Sequence, residues 1–361
     1  MNAALENHFS PDYATARERF RAAARDAGAA LDALELEACG ARDELLATDI
    51  AWLGAPDAAR IVLHSSGVHG VEAYAGAAIQ LAALDGLPRP PAGCALVLAH
   101  VLNPWGMSWL RRVNENNVDL NRNFLRPGET WSGAPRLYGA LDRALNPPSP
   151  PGFDWFPVTM AALALRHGMR SLTQAIAQGQ YEFPQGLFYG GSELQPGPRR
   201  YADWLQRRCG HAQYVFALDV HTGLGRAGEQ MLVLEPGVGA TPPAVLARAL
   251  GSPLVAPGRT AAAYVVRGSM GGVPGRALPG ARVDFLLQEL GTYPAFTVLR
   301  ALREENRWHH HGGATLDHPA KRALREAMCP AAPAWRRRVV GHGINLLRSA
   351  CAWSFHDLRT V

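Results

Sequence analysis

Lysine is almost missing from this 361-residue chain: of 36 basic residues, every one but Lys321 is an arginine. The arginines are spread along the whole length, densest at Arg336 to Arg338, and the formal net charge is only +5. A nucleic-acid-binding surface needs a concentrated basic stripe with interleaved aromatics, so nucleic acid is not an expected partner. Cysteine is scarce as well. Cys39, Cys94, Cys209, Cys329 and Cys351 lie far apart, odd in number and with no CxxC pair. That argues against a disulfide framework and suits a reducing compartment. No window approaches the eighteen or so apolar residues of a membrane span. The N-terminal stretch MNAALENHFSPDYATARERF carries acids and arginines where a signal peptide has an apolar core. A cytoplasmic protein with no membrane partner is therefore expected. Internal repeats are absent, and so is the G-x-S-x-G pentapeptide of a serine-hydrolase elbow.

What is present is a chain of 48% hydrophobic composition, long enough for a substantial core. Alternating strand-like and helix-like segments point to an α/β domain. Residues 13–29 predict an amphipathic surface helix. Apolar runs at 59–67, 94–103, 214–223, 230–237 and 282–293 predict strands, each closed by Gly or Pro. Residues 71–86 predict a helix, whose Ala73, Ala75, Gly76, Ala77 and Ala78 suit close packing on a sheet. Strands buried on both faces imply a largely parallel or mixed sheet flanked by helices, with ligands beyond the carboxyl ends of its strands. The segment 127–158, rich in Pro, Gly and Trp, reads as a loop excursion, because sheet-like elements resume after it.

Chemistry concentrates at those strand ends. HSSGVHGVEAYAG (64–76) places His69 and Glu72 three apart between a strand and a helix, with Gly67 and Gly70 allowing a tight turn. The pair suits a metal. Equally, it suits a turn histidine and a glutamate in a first helical turn. A catalytic zinc needs a third protein ligand from a distant segment, and His221 in ALDVHTGLG supplies one at the end of a strand. Asp219 and His221 share one strand face. RRVNENNVDLNRNF (111–124) is dense in arginine and asparagine, either as a surface loop or as a recognition loop. Arginine there offers a planar fork for a carboxylate or a developing oxyanion, and Asp119 an acceptor that would orient a ligand histidine. Glu289 in FLLQELGTY follows an apolar strand, where a carboxylate needs partners, and beside a metal it suits a general base. GLGRAG (223–228) fits a dinucleotide fingerprint but leads into a strand-like run instead of a helix. The three histidines of WHHHGG (309–311) cannot easily converge on one ion.

In order, HGVE, VDLNRNF, DVHTG and QELGTY resemble the zinc carboxypeptidase superfamily, the M14 metallopeptidase type. TDIAWLG (48–54), SSGVHGVEAYAGAAIQ (65–80) and GLFYGGSEL (186–194) extend the likeness to its bacterial DUF2817 branch, over most of the chain. The resemblance implies a single α/β domain, a mixed sheet of about eight strands and one zinc per chain. It matches His69, Glu72 and His221 to the metal ligands and Glu289 to the general base. Asn121 and Arg122 match the pair that holds a substrate carboxylate, and an upstream arginine the oxyanion group; loop spacing favours Arg112 over Arg111. The substrate-closing tyrosine has no clear motif, and Tyr264 and Tyr293 are its candidates. Ala73 and Tyr74 stand where the branch is expected to have glycine and phenylalanine. The implied activity is carboxypeptidase-type hydrolysis of an amide in a small molecule or short peptide bearing a carboxylate. The alternatives are N-acyl amino acid deacylation, as in the related succinylglutamate desuccinylase and aspartoacylase, and a non-catalytic ligand-binding module.

Overall fold

The computed structural model describes residues 5–258, 264–313 and 315–356. Eight strands form one sheet: β1 (Ala30–Cys39), β2 (Leu45–Gly54), β3 (Arg60–Ser66), β4 (Cys94–His100), β5 (Tyr214–Thr222), β6 (Gln230–Leu234), β7 (Leu254–Val255) and β8 (Arg282–Leu290). Their order is β1-β2-β4-β3-β5-β8-β6-β7. The centre, β4-β3-β5-β8, is parallel, while β1, β2 and β6 join antiparallel. This is the mixed sheet expected, in a single domain. The five apolar runs became β3, β4, β5, β6 and β8, each ending a little before the predicted boundary.

Alternation along the central strands divides the core. Val62, Leu96 and Phe216 face one way, against helices Tyr13–Asp26, Ala73–Gly86 and Pro333–Phe355. Ile61, Val97 and Val215 face the other, against helix Pro196–Cys209. With both faces covered, these strands read as continuous apolar runs. The small residues of helix Ala73–Gly86 let it approach closely: a Cβ on Gly76 would lie 2.3 Å from the Cβ of Ser66. The same helix buries Gln80, whose amide nitrogen donates to Ala99 O (2.9 Å) and whose carbonyl lies 2.9 Å from His100 Nδ1. His64 Nδ1 lies 3.3 Å from that amide nitrogen. Burial pushes His64 down to about 4 and His100 to about 3, so both are neutral.

Residues 127–158 leave the sheet, but not as loop alone: helix Arg136–Leu145 lies within them and helix Phe156–His167 begins at their end. Tyr138, Leu141 and Leu145 recur on one face of the first and are buried, a pattern hidden by the surrounding prolines. With Met169–Ala177, Ala295–His311 and Pro319–Met328, these helices enclose a third apolar cluster beyond the sheet. Beside that cluster lies the chain's one lysine. Lys321 is fully buried, donating to Glu305 Oε1 (2.7 Å) and Trp109 O (2.8 Å), and Arg111 pairs with the same Glu305 (3.0 Å). All five cysteines are free. Among the described residues, no helix is long and apolar enough to cross a membrane.

Candidate metal centre and its cavity

The site grows from the turn after β3. Gly67 has φ +70°, and a Cβ there would lie 2.6 Å from the Cβ of Ala73, so conformation and room both require glycine. Gly70 serves a different purpose. A Cβ on it would sit 2.0 Å from the carbonyl carbon of Gly106. That close approach docks the following loop by backbone bonds, Val71 N–H to Arg111 O (2.9 Å) and Gly70 N–H to Arg112 O (3.2 Å). His69 is held extended before a single 3₁₀ turn, Gly70–Glu72, so both side chains face one point.

His221 reaches that point from the carboxyl end of β5. The His69 and His221 rings stand edge to face, centroids 5.0 Å apart. Each imidazole rests its Nε2 on a carboxylate: His69 on Asp119 Oδ1 (3.0 Å), His221 on Asp219 Oδ2 (2.6 Å). These contacts fix the proton on Nε2 and leave the Nδ1 lone pairs toward Glu72. Nδ1 of His69 is 2.9 Å from Glu72 Oε1, and Nδ1 of His221 is 3.7 Å from Glu72 Oε2. One donor atom from each of the three lies within 4.8 Å of the others, all buried. His69 Nδ1 makes no hydrogen bond, and a buried polar atom without a partner needs an explanation. Two imidazoles and a carboxylate are the donor set of a catalytic zinc. The residues therefore fit the metal.

The arginine loop supplies the surroundings. Arg112 donates Nε to Asp119 Oδ2 and NH1 to Glu72 Oε1, both at 2.9 Å. Burial opposes ionisation of Glu72, but His69, Arg112 and His221 outweigh it and hold the carboxyl at about 2. Asp119 is likewise held well below its usual range against burial, chiefly by Arg112, Arg122 and His69. Thr222 N–H donates to Glu72 Oε2 (2.9 Å), so the central carboxylate is fixed from three sides. Arg111, the other candidate, points away into the pocket of Glu305, Asn117 and Asn306.

Asn121 lines the cavity, its Oδ1 accepting from Met270 N–H (3.0 Å). Arg122, its expected companion in a carboxylate clamp, is placed elsewhere. Its guanidinium is fully buried, donating from Nε to Ala177 O (3.0 Å) and from NH1 to Asn121 O (2.9 Å). It packs beneath the rings of Phe188 and Tyr264, 5.5 and 5.9 Å from their centroids. Those contacts use its donors and screen it from the cavity, so sequence adjacency to Asn121 does not bring it to the site. Tyr264 itself lines the cavity. Tyr293 does not: it is exposed and its hydroxyl donates to Glu326 (2.7 Å).

Glu289 completes the floor. It sits beside His221 in the β5–β8 register and accepts from Leu224 N–H through Oε1 (2.9 Å). Burial, and then the charge of Glu72, push it up to about 8. Above this floor opens a cavity of about 460 Å³ whose walls are mostly apolar, from Met160, Leu172, Ile176, Phe188 and Leu299 among others. Arg112 is the one arginine on its surface among the described residues.

The sequence matches the family described as protein of unknown function (DUF2817) over residues 9–342. The chain belongs to the DUF2817 family. No curated protein matches it by sequence. Bovine thrombin-activatable fibrinolysis inhibitor, solved with tick carboxypeptidase inhibitor, is similar at a TM-score of 0.55 and 10% identity over 98% of each chain. Carboxypeptidase A from Helicoverpa armigera is similar at 0.49 and 14%, over 90% of this chain and 74% of its own. Murein-tripeptide amidase MpaA from Escherichia coli O157 aligns at 0.37 and 17%, over 77% and 91%. The likeness is one of fold: the eight-stranded mixed sheet is carboxypeptidase-like.

Two parts of this DUF2817 site were not assigned from sequence. Asp219 is the carboxylate behind His221, and the i, i+2 spacing on one strand face was its signal. The cavity wall from helices Phe156–His167 and Met169–Ala177 had a weaker one, the near-continuous apolar run FPVTMAALAL.

Proposed function

We propose that the chain is a zinc-dependent hydrolase of an amide bond in a small, carboxylate-bearing substrate. The observation that carries the reading is the convergence of His69, Glu72 and His221 within 4.8 Å, with the Nδ1 of both histidines turned toward the Glu72 carboxylate. A zinc ion held there supplies Lewis acidity, which polarises a carbonyl oxygen and lowers the pKa of water. Glu289 takes a proton from the attacking water and returns it to the leaving nitrogen. Its raised proton affinity, near neutral pH, suits both transfers. Leu224 N–H anchors Oε1 and so orients the carboxylate. Arg112 keeps Glu72 and Asp119 ionised and is the arginine within reach of a substrate anion or of charge developing on the carbonyl oxygen. Asn121 adds a neutral amide donor from the cavity wall.

Carboxypeptidase-type cleavage of a short peptide is the first form of this activity. Removal of an acyl group from an amino acid is the second. It is supported by the mostly apolar walls of the cavity above Glu289, which suit an acyl group. Metal analysis tests the common core. Purified wild type is expected to carry one zinc per chain and His69→Ala to carry none while remaining folded. A folded wild type with neither zinc nor affinity for it would overturn the reading in favour of a metal-free binding module.

A further inference from the structure

We propose that the substrate is a fatty amide, an amino acid whose nitrogen carries a long unbranched acyl chain, with the hydrocarbon lying in the apolar part of the cavity. The proposal rests on the amide-hydrolase reading and narrows it. Three observations carry it.

The first is size and lining. At roughly 30 Å³ for a group as large as water or a methylene, a cavity of about 460 Å³ has room for on the order of a dozen such groups. One amino-acid side chain supplies far fewer. Beyond the metal ligands, Glu289, Arg112, Asn121 and, at one side, Glu235 and Ser269, the wall is chiefly hydrocarbon, from Met160, Leu172, Ile176, Phe188, Phe296 and Leu299.

The second is the helix Phe156–His167, which is apolar on both faces. Phe156 and Met160 are buried, and Ala161 and Ala164 line the cavity. On the outside, Val158 is 60% and Leu165 90% exposed. An ordinary surface helix keeps a polar outer face.

The third is where the chain exposes its other large apolar groups. Among the described residues Phe153, Trp155, Met169, Val265 and Phe296 belong to the cavity wall or adjoin it in sequence, and only Leu45 and Tyr293 lie off it. Phe156 stacks on the wall residue Phe296 (5.7 Å), and just before it in the chain Phe153 meets Trp155 edge-on (5.7 Å). Scattered apolar residues on a surface are ordinary, whereas a cluster marks what the surface meets. A polar peptide gains nothing from such a cluster, but an amphiphile leaving a micelle does. Arg112, the one arginine on the wall among the described residues, then meets the amino-acid carboxylate or the reacting oxygen.

In the reaction the oxygen of water bonds to the acyl carbon and the carbon–nitrogen bond breaks. Glu289 carries a proton from that water to the nitrogen, and the products are a fatty acid and a free amino acid.

The test is a series of N-acyl glycines from butyryl to palmitoyl, assayed for hydrolysis and, by calorimetry, for binding to metal-depleted protein. kcat/KM is expected to rise about tenfold for every two methylenes until the chain outgrows the cavity. Lauroyl-glycine is expected to bind metal-depleted protein at least a hundredfold more tightly than butyryl-glycine. Ala164→Trp, which narrows the wall, is expected to shift the optimum to shorter chains. Chain-length-dependent binding with no hydrolysis of any member would sustain the cavity assignment and overturn the hydrolase. Hydrolysis of butyryl-glycine with no gain in rate or binding on lengthening would sustain the hydrolase and overturn this proposal. Wild-type binding decides the matter even if the variant does not fold.

Discussion

Glu289 closes the apolar strand β8, where an acid needs partners, and it sits beside His221 in the sheet. Glu289→Gln keeps the side chain's size but removes the carboxylate proposed to carry the proton. It is expected to retain zinc by metal analysis and to lose several orders of magnitude in kcat. Arg122 was not legible, because its role depends on Ala177, Phe188 and Tyr264, which are remote in sequence. It acts as a buried pillar and as countercharge to Asp119, 3.9 Å away. Arg122→Ala leaves a cavity, an unpaired carbonyl and a less compensated carboxylate. The expected cost is about 3 kcal/mol in denaturant unfolding. A large rise in KM at unchanged stability would instead restore it to the substrate. Asp219 was legible in part: alternation put it on the strand face of His221, but its place behind that ring was not assigned from sequence.

At the scale of elements, strands with an uninterrupted apolar run were the readable ones, whereas β2, equally buried but broken by Thr48 and Asp49, was missed. β3, β4, β5, β6 and β8 are apolar runs with clear stops. β1 alternates acids with apolar residues at an exposed edge, and β7 has only two residues, too few for any pattern. Helix Ala73–Gly86 was legible through its small side chains, and that feature is testable. Gly76→Val would drive a side chain into Ser66, where even a Cβ lies at 2.3 Å. The expected loss is roughly 1–3 kcal/mol, seen as a lower Tm, with the metal ligands untouched. The helices beyond the sheet were the least legible. Their apolar surface faces a cavity, so they lack the plain inside-outside pattern of a helix on a core.

For the molecule as a whole, the pair His64 and His100 sets a response to acid. Both are neutral in the fold, with pKa values of about 4 and about 3, whereas the unfolded chain protonates histidine near 6.5. Below that pH the unfolded state binds more protons, so stability is intact above about 6.5 and declines as pH falls. By pH 4 the two account for about 3 kcal/mol each. Denaturant midpoints from pH 7 to 4 should fall in the wild type and fall less in a folded His64→Gln variant. A wild-type midpoint independent of pH over that range would contradict the assignment. The overall layout was accessible because alternating elements and ligands at strand ends are properties of α/β sheets generally. The enclosure above them depends on how distant helices meet.

The solitary Lys321, sealed between Glu305 and Trp109, makes this chain chemically unusual. Its folded surface presents no side-chain amine. Acylating reagents, amine cross-linkers and lysine-directed tags therefore find no lysine to modify until the helices around Glu305 come apart. Mass-spectrometric labelling of that one residue would count unfolded molecules directly, giving the protein a built-in, single-site reporter of its own opening.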